Sequence, residues 1–201
     1  MKVAVFGASG FVGINVVNAF QQAGIEVVAS DIRESPHITA EFKPADLLDR
    51  ATLARVVELN IPVNCGSMDM LDQLGAVNPG HPVWLRINPG FGHGHSKKTN
   101  TGGEHSKHGI WHGDLVRACE KIKSNGLALQ GLHMHIGSGV DYAHLQEVCG
   151  AMLKLVEVVN AQGLDLHAIS AGGGLSVPYQ AGEPTIDTAH YFSLWDAVRH
   201  A

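Results

Sequence analysis

The chain has 201 residues, of which 45% are hydrophobic and 16% charged, and 24 glycines suit the tight turns of a soluble α/β protein. A net charge of −5 without a basic cluster argues against nucleic acid as a partner, and no apolar run is long enough for a membrane span. Cys65, Cys119 and Cys149 are widely spaced, and a strand is predicted directly after Lys2, without a signal peptide. We therefore expect reduced thiols and a cytoplasmic location.

Strand-like and helix-like apolar patterns alternate along the whole chain, which predicts parallel strands in an α/β fold. Six strands are predicted, at residues 2–6, 26–30, 62–65, 83–88, 129–136 and 166–171. Helices are predicted at residues 10–23, 47–59, 68–74, 114–124, 144–162 and 189–200. Residues 35–44 read as irregular and residues 89–111 as a long loop. The last helix meets no stop signal, which suggests a truncated chain.

A glycine-rich turn, GASGFVG at residues 7–13, joins the first predicted strand to the first predicted helix. Gly7 permits the tight turn, Gly10 lets the backbone approach a pyrophosphate, and Gly13 lets the helix pack closely. The helix N-terminus offers free N–H groups to phosphates. Asp31 ends the second strand, where a carboxylate can accept both ribose hydroxyls of an adenosine. The pattern predicts binding of NAD, and a structural turn without a ligand is the alternative.

Residues 1–57 resemble the extended short-chain dehydrogenase/reductases of the sugar-nucleotide epimerase type. The resemblance implies that an Asp-Leu pair lies near the adenine and that Arg33 stacks on the adenine or contacts phosphate. The catalytic Tyr-x-x-x-Lys of that family does not occur, so hydride transfer by its mechanism is not expected. The residues expected to bind the nucleotide are Gly7, Ser9, Gly10, Phe11, Val12, Gly13, Asp31, Arg33, Asp46 and Leu47.

From about residue 46 onward the sequence resembles diaminopimelate decarboxylase, a pyridoxal phosphate enzyme of lysine biosynthesis. Four segments carry the resemblance: IPVNCGSMDMLDQLG (61–75), VWLRINPGFGHGHSKKTNTGGEHSKHGIW (83–111), GLHMHIGSGVDYAHL (131–145) and AISAGGGLSVPYQ (168–180). The family fold is a barrel, whose active sites lie at the carboxyl ends of the strands.

The resemblance also implies a role for individual residues of this half. His135 is expected to stack on the pyridine ring, as an imidazole can do over an aromatic ring. The phosphate is expected to be bound by Ser138, Gly172, Gly173 and Gly174, because glycine-rich strand ends expose N–H groups. Arg86 and Asn88 come from a neighbouring strand end, and Lys107 is placed near the cofactor.

Three segments that the enzymes of that family contain do not occur in this sequence. They are the barrel strand with the Schiff-base lysine, the Glu-Pro-Gly-Arg strand that completes the phosphate site, and the C-terminal β-domain with its cysteine for the dimer partner. The resemblance therefore implies neither covalent capture of pyridoxal phosphate nor decarboxylation. Because the two resemblances overlap at residues 45–57, the simplest interpretation is a chimera joined inside a shared helix.

Five histidines lie in the segment after the fourth strand: His93, His95, His105, His108 and His112. The spacing of the last three is compatible with metal ligation. No cysteine or acid is placed to complete a site, so no metal is expected. The loop is interpreted as structure on the substrate side.

We expect one α/β domain with six mostly parallel strands in a Rossmann-like or flavodoxin-like open sheet. Residues 1–57 contribute two strands and residues 58–201 four. The alternative is an open half-barrel that covers its free edge by forming a homodimer. A hybrid scaffold with a partial NAD site and a relic pyridoxal phosphate site, and thus a nucleotide or phosphate ligand, is the preferred function. A decarboxylase, an epimerase-type reductase, and a protein without a ligand are the alternatives.

Overall fold

A computed structural model describes residues 2–6, 8–44, 54, 56–92, 100–139, 141–175, 178, 180, 182–183 and 187–200. The chain divides into two compact units, Met1–Ile61 and Pro62–Ala201. The described strands are β1 Lys2–Phe6, β2 Glu26–Asp31, β3 Glu41–Pro44, β4 Val63–Cys65, β5 Pro82–Asn88, β6 Ile110–Trp111, β7 Ala128–Met134 and β8 Ala168–Ser170. The helices are α1 Phe11–Gln22, α2 Met68–Val77, α3 Leu115–Ser124, α4 Tyr142–Ala161 and α5 Thr188–Arg199.

The N-terminal unit is a three-stranded parallel sheet in the order β1-β2-β3, with α1 connecting β1 to β2. Its core is formed by apolar side chains of the strands, of α1 and of the loop before β3. The buried members are Val5, Ala8, Val17, Val27, Ala29 and Ile38. The helix predicted at 10–23 thus buries an apolar face, with Val17 in the core and Val16 and Phe20 packed against it.

The C-terminal unit is a five-stranded sheet in the order β4-β5-β7-β8, with the short β6 paired to the end of β5. All of these pairings are parallel. Alternate residues of β5, namely Val83, Leu85 and Ile87, are at most 1% exposed, because one face of the sheet packs against helices. Ile122 of α3 and Met152 of α4 are fully buried helical side chains of this unit.

The pairing of β5 with β7 contains a register shift that changes which side chains share a face. Val83 pairs with Leu129, but the next residue, Trp84, pairs with Gly131. Gln130 therefore has no partner on β5, and the alternation of side chains along β7 changes phase at this point. Beyond the shift, Leu132 lies on the helix-packed face and its neighbour His133 on the opposite one.

Three expectations from the sequence need correction. The described residues contain eight strands in two sheets, where six strands in one open sheet were expected. Residues 41–44, expected to be irregular, form β3, because pairing with the buried strand β2 supplies hydrogen bonds that local sequence does not reveal. The pair Ile110–Trp111 lies in the expected loop and forms β6 at the end of β5.

Among the described residues, no helix has the length and apolar character that crossing a membrane requires.

A substitution at Gly131, which packs against Trp84, tests the register of β7. A Cβ at Gly131 would lie 2.6 Å from the Trp84 ring and would also collide with the Ala168 carbonyl oxygen. We expect Gly131→Ala to lower the free energy of unfolding by about 1–3 kcal/mol, the usual cost of overpacking. Urea denaturation measures the change.

Gly150→Ala is the matched control, since a Cβ on this helical residue would meet nothing within 4 Å. Alanine is the better helix former, so this variant is expected to gain about 0.5–1 kcal/mol. Equal effects of the two substitutions would contradict the close packing at Gly131.

Candidate functional site

Three neighbouring strands of the C-terminal unit present polar side chains on one face, near their carboxyl ends. Arg86 of β5 pairs in register with His133 of β7, and His133 pairs with Ser170 of β8. Because residues in register point to the same face, these three lie opposite to Leu85 and Leu132. His133 Nδ1 lies 2.9 Å from Ser170 Oγ. The sheet thus carries a polar row across three strands.

Residues 172–174, called the glycine loop here, follow β8 and pass over the end of β7. Gly172 has a φ of +71°, and a Cβ at this position would lie 2.5 Å from the carbonyl oxygen of Met134. Only glycine fits so crowded a position in the left-handed region. A Cβ at Gly173 would meet nothing within 4 Å, so the centre of the glycine loop borders open space.

Hydrogen bonds connect the glycine loop to the segment after β7. The Gly173 N–H donates to His135 Nδ1 over 3.2 Å. The Gly139 N–H donates to the Gly174 carbonyl oxygen over 2.8 Å. Ser138 is exposed directly before Gly139. The residues predicted to bind ring and phosphate are therefore held together at the carboxyl ends of two adjacent strands.

Asn88, at the end of β5, fixes the loop that follows it. Its Oδ1 accepts the N–H groups of Gly90 and Gly103 over 3.1 and 3.0 Å, and its Nδ2 donates to the Gly103 carbonyl oxygen over 2.9 Å. Thr101 joins the same loop to β7, because its hydroxyl donates to the carbonyl oxygen of His135 over 3.1 Å. Asn88 is thus a structural clamp beside the site.

Both histidines of the polar face are uncharged near neutral pH. Burial lowers the pKa of His133 to about 4, and the positive charge of Arg86 acts in the same direction. Burial and Arg86 also lower the pKa of His135. Since Nδ1 of His135 accepts the Gly173 N–H, the ring proton of this neutral histidine lies on Nε2.

This arrangement fits a phosphorylated aromatic molecule. The glycine loop borders open space at Gly173, Arg86 supplies positive charge, and the uncharged ring of His135 can lie against another aromatic ring. His133 and Ser170 were missed by the sequence analysis. The two-residue spacing from His133 to His135 could have indicated that they share a face. Lys107, expected near the cofactor, is exposed.

The glycine-rich turn of the N-terminal unit lies between β1 and α1, as predicted. Gly10 is the N-cap of α1 and provides no side-chain cap, so the first turn of the helix keeps its N–H groups available. Phe11 and Val12 occupy the first two positions of α1, and Gly13 is buried. Gly7, Asp46 and Leu47, also predicted to bind the nucleotide, lie outside the described residues.

Asp31 folds back onto this turn. Its Oδ2 accepts the Ser9 N–H over 3.0 Å, and its Oδ1 accepts the Ile32 N–H over 2.7 Å. The Ser9 hydroxyl donates to the carbonyl oxygen of Arg33, whose side chain is exposed. Each carboxylate oxygen retains a further lone pair, so the acid beside the turn can still accept a hydroxyl.

The described histidines of the long loop do not converge. His93 and His95 lie outside the described residues, and His112 packs against Trp111 with ring centroids 4.6 Å apart. Within the described ranges, no group of three or more His, Cys, Asp or Glu residues could hold a metal ion.

Two family models match the chain. The model for the pyridoxal-dependent decarboxylase, pyridoxal binding domain, matches residues 43–201, and the model for the NAD dependent epimerase/dehydratase family matches residues 3–65. The first of them covers more than half of the chain. The chain belongs to the pyridoxal-dependent decarboxylase family.

Curated relatives of this family member include diaminopimelate decarboxylases. The protein of Escherichia coli (strain K12) is 56% identical over 197 residues, which are 92% of this chain and 46% of the relative. The protein of Streptomyces coelicolor is 67% identical over 155 residues, which are 77% of this chain and 34% of the relative. The chain therefore spans about half the length of these relatives, or less.

Solved structures agree with this assignment. A crystal structure of diaminopimelate decarboxylase superposes with a TM-score of 0.76 and 53% identity over 98% of this chain and 49% of that chain. The Helicobacter pylori enzyme complexed with L-lysine has a TM-score of 0.71 over 94% of this chain and 46% of that chain; at 22% identity it shows the fold alone. These neighbours have the barrel fold of the decarboxylases, so the Rossmann-like or flavodoxin-like sheet is not confirmed. The comparisons also favour the decarboxylase alternative over the hybrid scaffold.

Replacing Asn88 tests its role as a clamp. Asn88→Ala leaves the N–H groups of Gly90 and Gly103 without their acceptor in a residue that is only 4% exposed. We expect the free energy of unfolding to fall by about 1–3 kcal/mol for each unpaired group that stays buried. Hydrogen exchange should accelerate at both amides.

The matched control is Asn160→Ala, at an exposed position of α4. It should leave hydrogen exchange at the Gly90 and Gly103 amides unchanged. Unchanged exchange at Gly90 and Gly103 in Asn88→Ala would refute the clamp.

Proposed function

We propose that residues 62–201 form the cofactor-binding half of a pyridoxal phosphate enzyme that decarboxylates diaminopimelate. The observation that carries this proposal is the hydrogen bond that holds His135 against the glycine loop, at the strand ends where such barrels place their sites. Identity to diaminopimelate decarboxylases supports the substrate class. The activity belongs to a polypeptide about twice the length of the matched segment.

Each described residue of the site has one task in this proposal. His135 lies against the pyridine ring, and its neutral state suits stacking on a ring that carries its own positive charge when protonated. The glycine loop lets the phosphate approach the backbone closely, Ser138 donates a hydrogen bond to it, and Arg86 balances its negative charge. When bound, pyridoxal phosphate acts as the electron sink for the reaction at the substrate α-carbon. Asn88 and Thr101 keep water-exposed loops fixed around these groups.

Localisation and assembly are proposed on the same basis. Cys65, Cys119 and Cys149 are free and buried, and burial raises the pKa of Cys65 to about 12 and that of Cys149 to about 11. Thiols of this kind stay protonated and unreactive, which supports a reducing, cytoplasmic environment. A homodimer remains the proposed assembly, since β8 ends the described sheet.

Binding of a phosphorylated ring tests the cofactor half. Pyridoxine 5′-phosphate carries the ring and the phosphate but no aldehyde, so lysines such as Lys107 cannot react with it. We expect the chain to bind it at least tenfold more tightly than pyridoxine, because charge-assisted hydrogen bonds to phosphate contribute about 1.5–3 kcal/mol each. His135→Ala should weaken binding of both ligands by about tenfold. Calorimetric titration measures all four constants.

His167→Ala is the control, because this exposed histidine precedes β8, whereas the glycine loop follows the other end of that strand. Its backbone N–H pairs with Gln130. It should bind both ligands as the original chain does. Equal affinity for pyridoxine and its phosphate would overturn the proposal.

For residues 1–61 we propose binding of the adenosine-pyrophosphate half of NAD as a second function. The open first turn of α1 and the contact of Asp31 with Ser9 carry it, and the epimerase family match supports it. The overlap of the two family matches at residues 43–65 supports an origin as a chimera.

Titration with NAD tests this second function. Asp31→Ala should weaken NAD binding, because it removes the acceptor for the ribose hydroxyls and frees the Ser9 N–H. A loss of about 1.5–3 kcal/mol in binding free energy corresponds to roughly 10–100-fold weaker affinity for NAD. Glu34→Ala removes the same charge from the same exposed segment and should have no such effect. If both variants bind NAD like the original chain, Asp31 does not contact the nucleotide.

A further inference from the structure

Two consecutive amides of the glycine loop donate to the side chains of Ser170 and His135. The Gly173 N–H donates directly to His135 Nδ1. The Gly172 N–H donates to Ser170 Oγ over 3.4 Å, and this oxygen lies 2.9 Å from His133 Nδ1. His133 therefore reaches the glycine loop through Ser170, whereas His135 reaches it directly.

We infer that His133 and Ser170 are a positioning pair that holds the glycine loop in the shape that receives the cofactor phosphate. This inference rests on the proposed function of the glycine loop. Neither residue was expected to take part from the sequence resemblance. Their place follows from the register of β5, β7 and β8, which puts His133 between Arg86 and Ser170.

A loop of three glycines needs such anchors more than other loops do. Glycine loses more conformational freedom on ordering than any other residue, so an unanchored glycine loop would pay that entropy when the phosphate binds. Here Gly172 is already fixed in the left-handed region with its N–H directed to Ser170. The shape of the loop that a phosphate would approach is thus partly set before the ligand arrives.

The surroundings of His133 suit this role. Arg86 faces it from β5, His135 lies two residues further on β7, and Ser170 faces it from β8. A neutral imidazole can exchange one hydrogen bond with the serine hydroxyl, whose oxygen remains free to accept the Gly172 N–H. Burial and the charge of Arg86 keep the pKa of His133 low, so this neutral state persists over the physiological range.

Three variants and two ligands test the pair. Ser170→Ala removes the acceptor of the Gly172 N–H, and His133→Leu removes the partner of Ser170. His133→Asn keeps a polar side-chain atom near the position of Nδ1. Affinities for pyridoxine 5′-phosphate and pyridoxine are measured by calorimetry, and exchange of the Gly172 amide is measured without ligand.

We expect Ser170→Ala and His133→Leu each to weaken phosphate-ligand binding about tenfold, the effect of one hydrogen bond, with pyridoxine binding unchanged. Exchange at Gly172 should accelerate in both. The double variant should be no weaker than either single one, since the two residues act in series. His133→Asn should recover most of the affinity, and Ser193→Ala, at an exposed hydroxyl on α5, should change nothing.

The outcomes separate this inference from the function on which it rests. If the original chain does not prefer the phosphorylated ligand, the proposed function fails. If it does, and Ser170→Ala keeps both that preference and slow exchange at Gly172, only the positioning pair is overturned. Should His133→Leu fail to fold, the smaller change Ser170→Ala decides alone.

Discussion

The register shift between β5 and β7 determines which residues of this protein can form a site together. Gln130 has no partner on β5, so the alternation along β7 changes phase between Leu129 and Leu132. Uninterrupted alternation would have put His133 and His135 on the same face as Leu129, among the helix-packed side chains. With the shift they face Arg86 instead, and the contacts to Ser170 and to the glycine loop become possible.

Hydrogen bonds to Asn88, His133 and His135 stabilise the polar groups on this face. Asn88 satisfies three backbone groups, His135 accepts the Gly173 N–H, and His133 pairs with Ser170. Unpaired polar groups at such depth would cost about 1–3 kcal/mol each. The same bonds that compensate for burial also fix the position of the glycine loop and the orientation of the His135 ring, so stability and site geometry have one physical origin.

The glycine-rich segments of the two units differ in what surrounds their N–H groups. In the N-terminal unit a helix begins at Gly10 without a side-chain cap, and its first turn leaves N–H groups available. In the C-terminal unit the glycine loop follows β8, and its N–H groups donate to Ser170 of β8 and to His135, which follows β7. The arrangement in the N-terminal unit is local in sequence, whereas the one in the C-terminal unit depends on residues nearly forty positions apart.

The sequence by itself determined the alternation of strands and helices, the glycine-rich turn before α1, and the resemblance that singled out His135 and the glycine loop. These features depend on neighbouring residues or on short motifs, which a single sequence displays directly. Tertiary structure alone decided that the strands form two sheets, that residues 41–44 are a strand, and that His133 meets Ser170. Those outcomes depend on pairing between distant strands. They also depend on Gln130, which has no partner on β5 and so reverses the face of every later side chain of β7, an effect that no local pattern reveals.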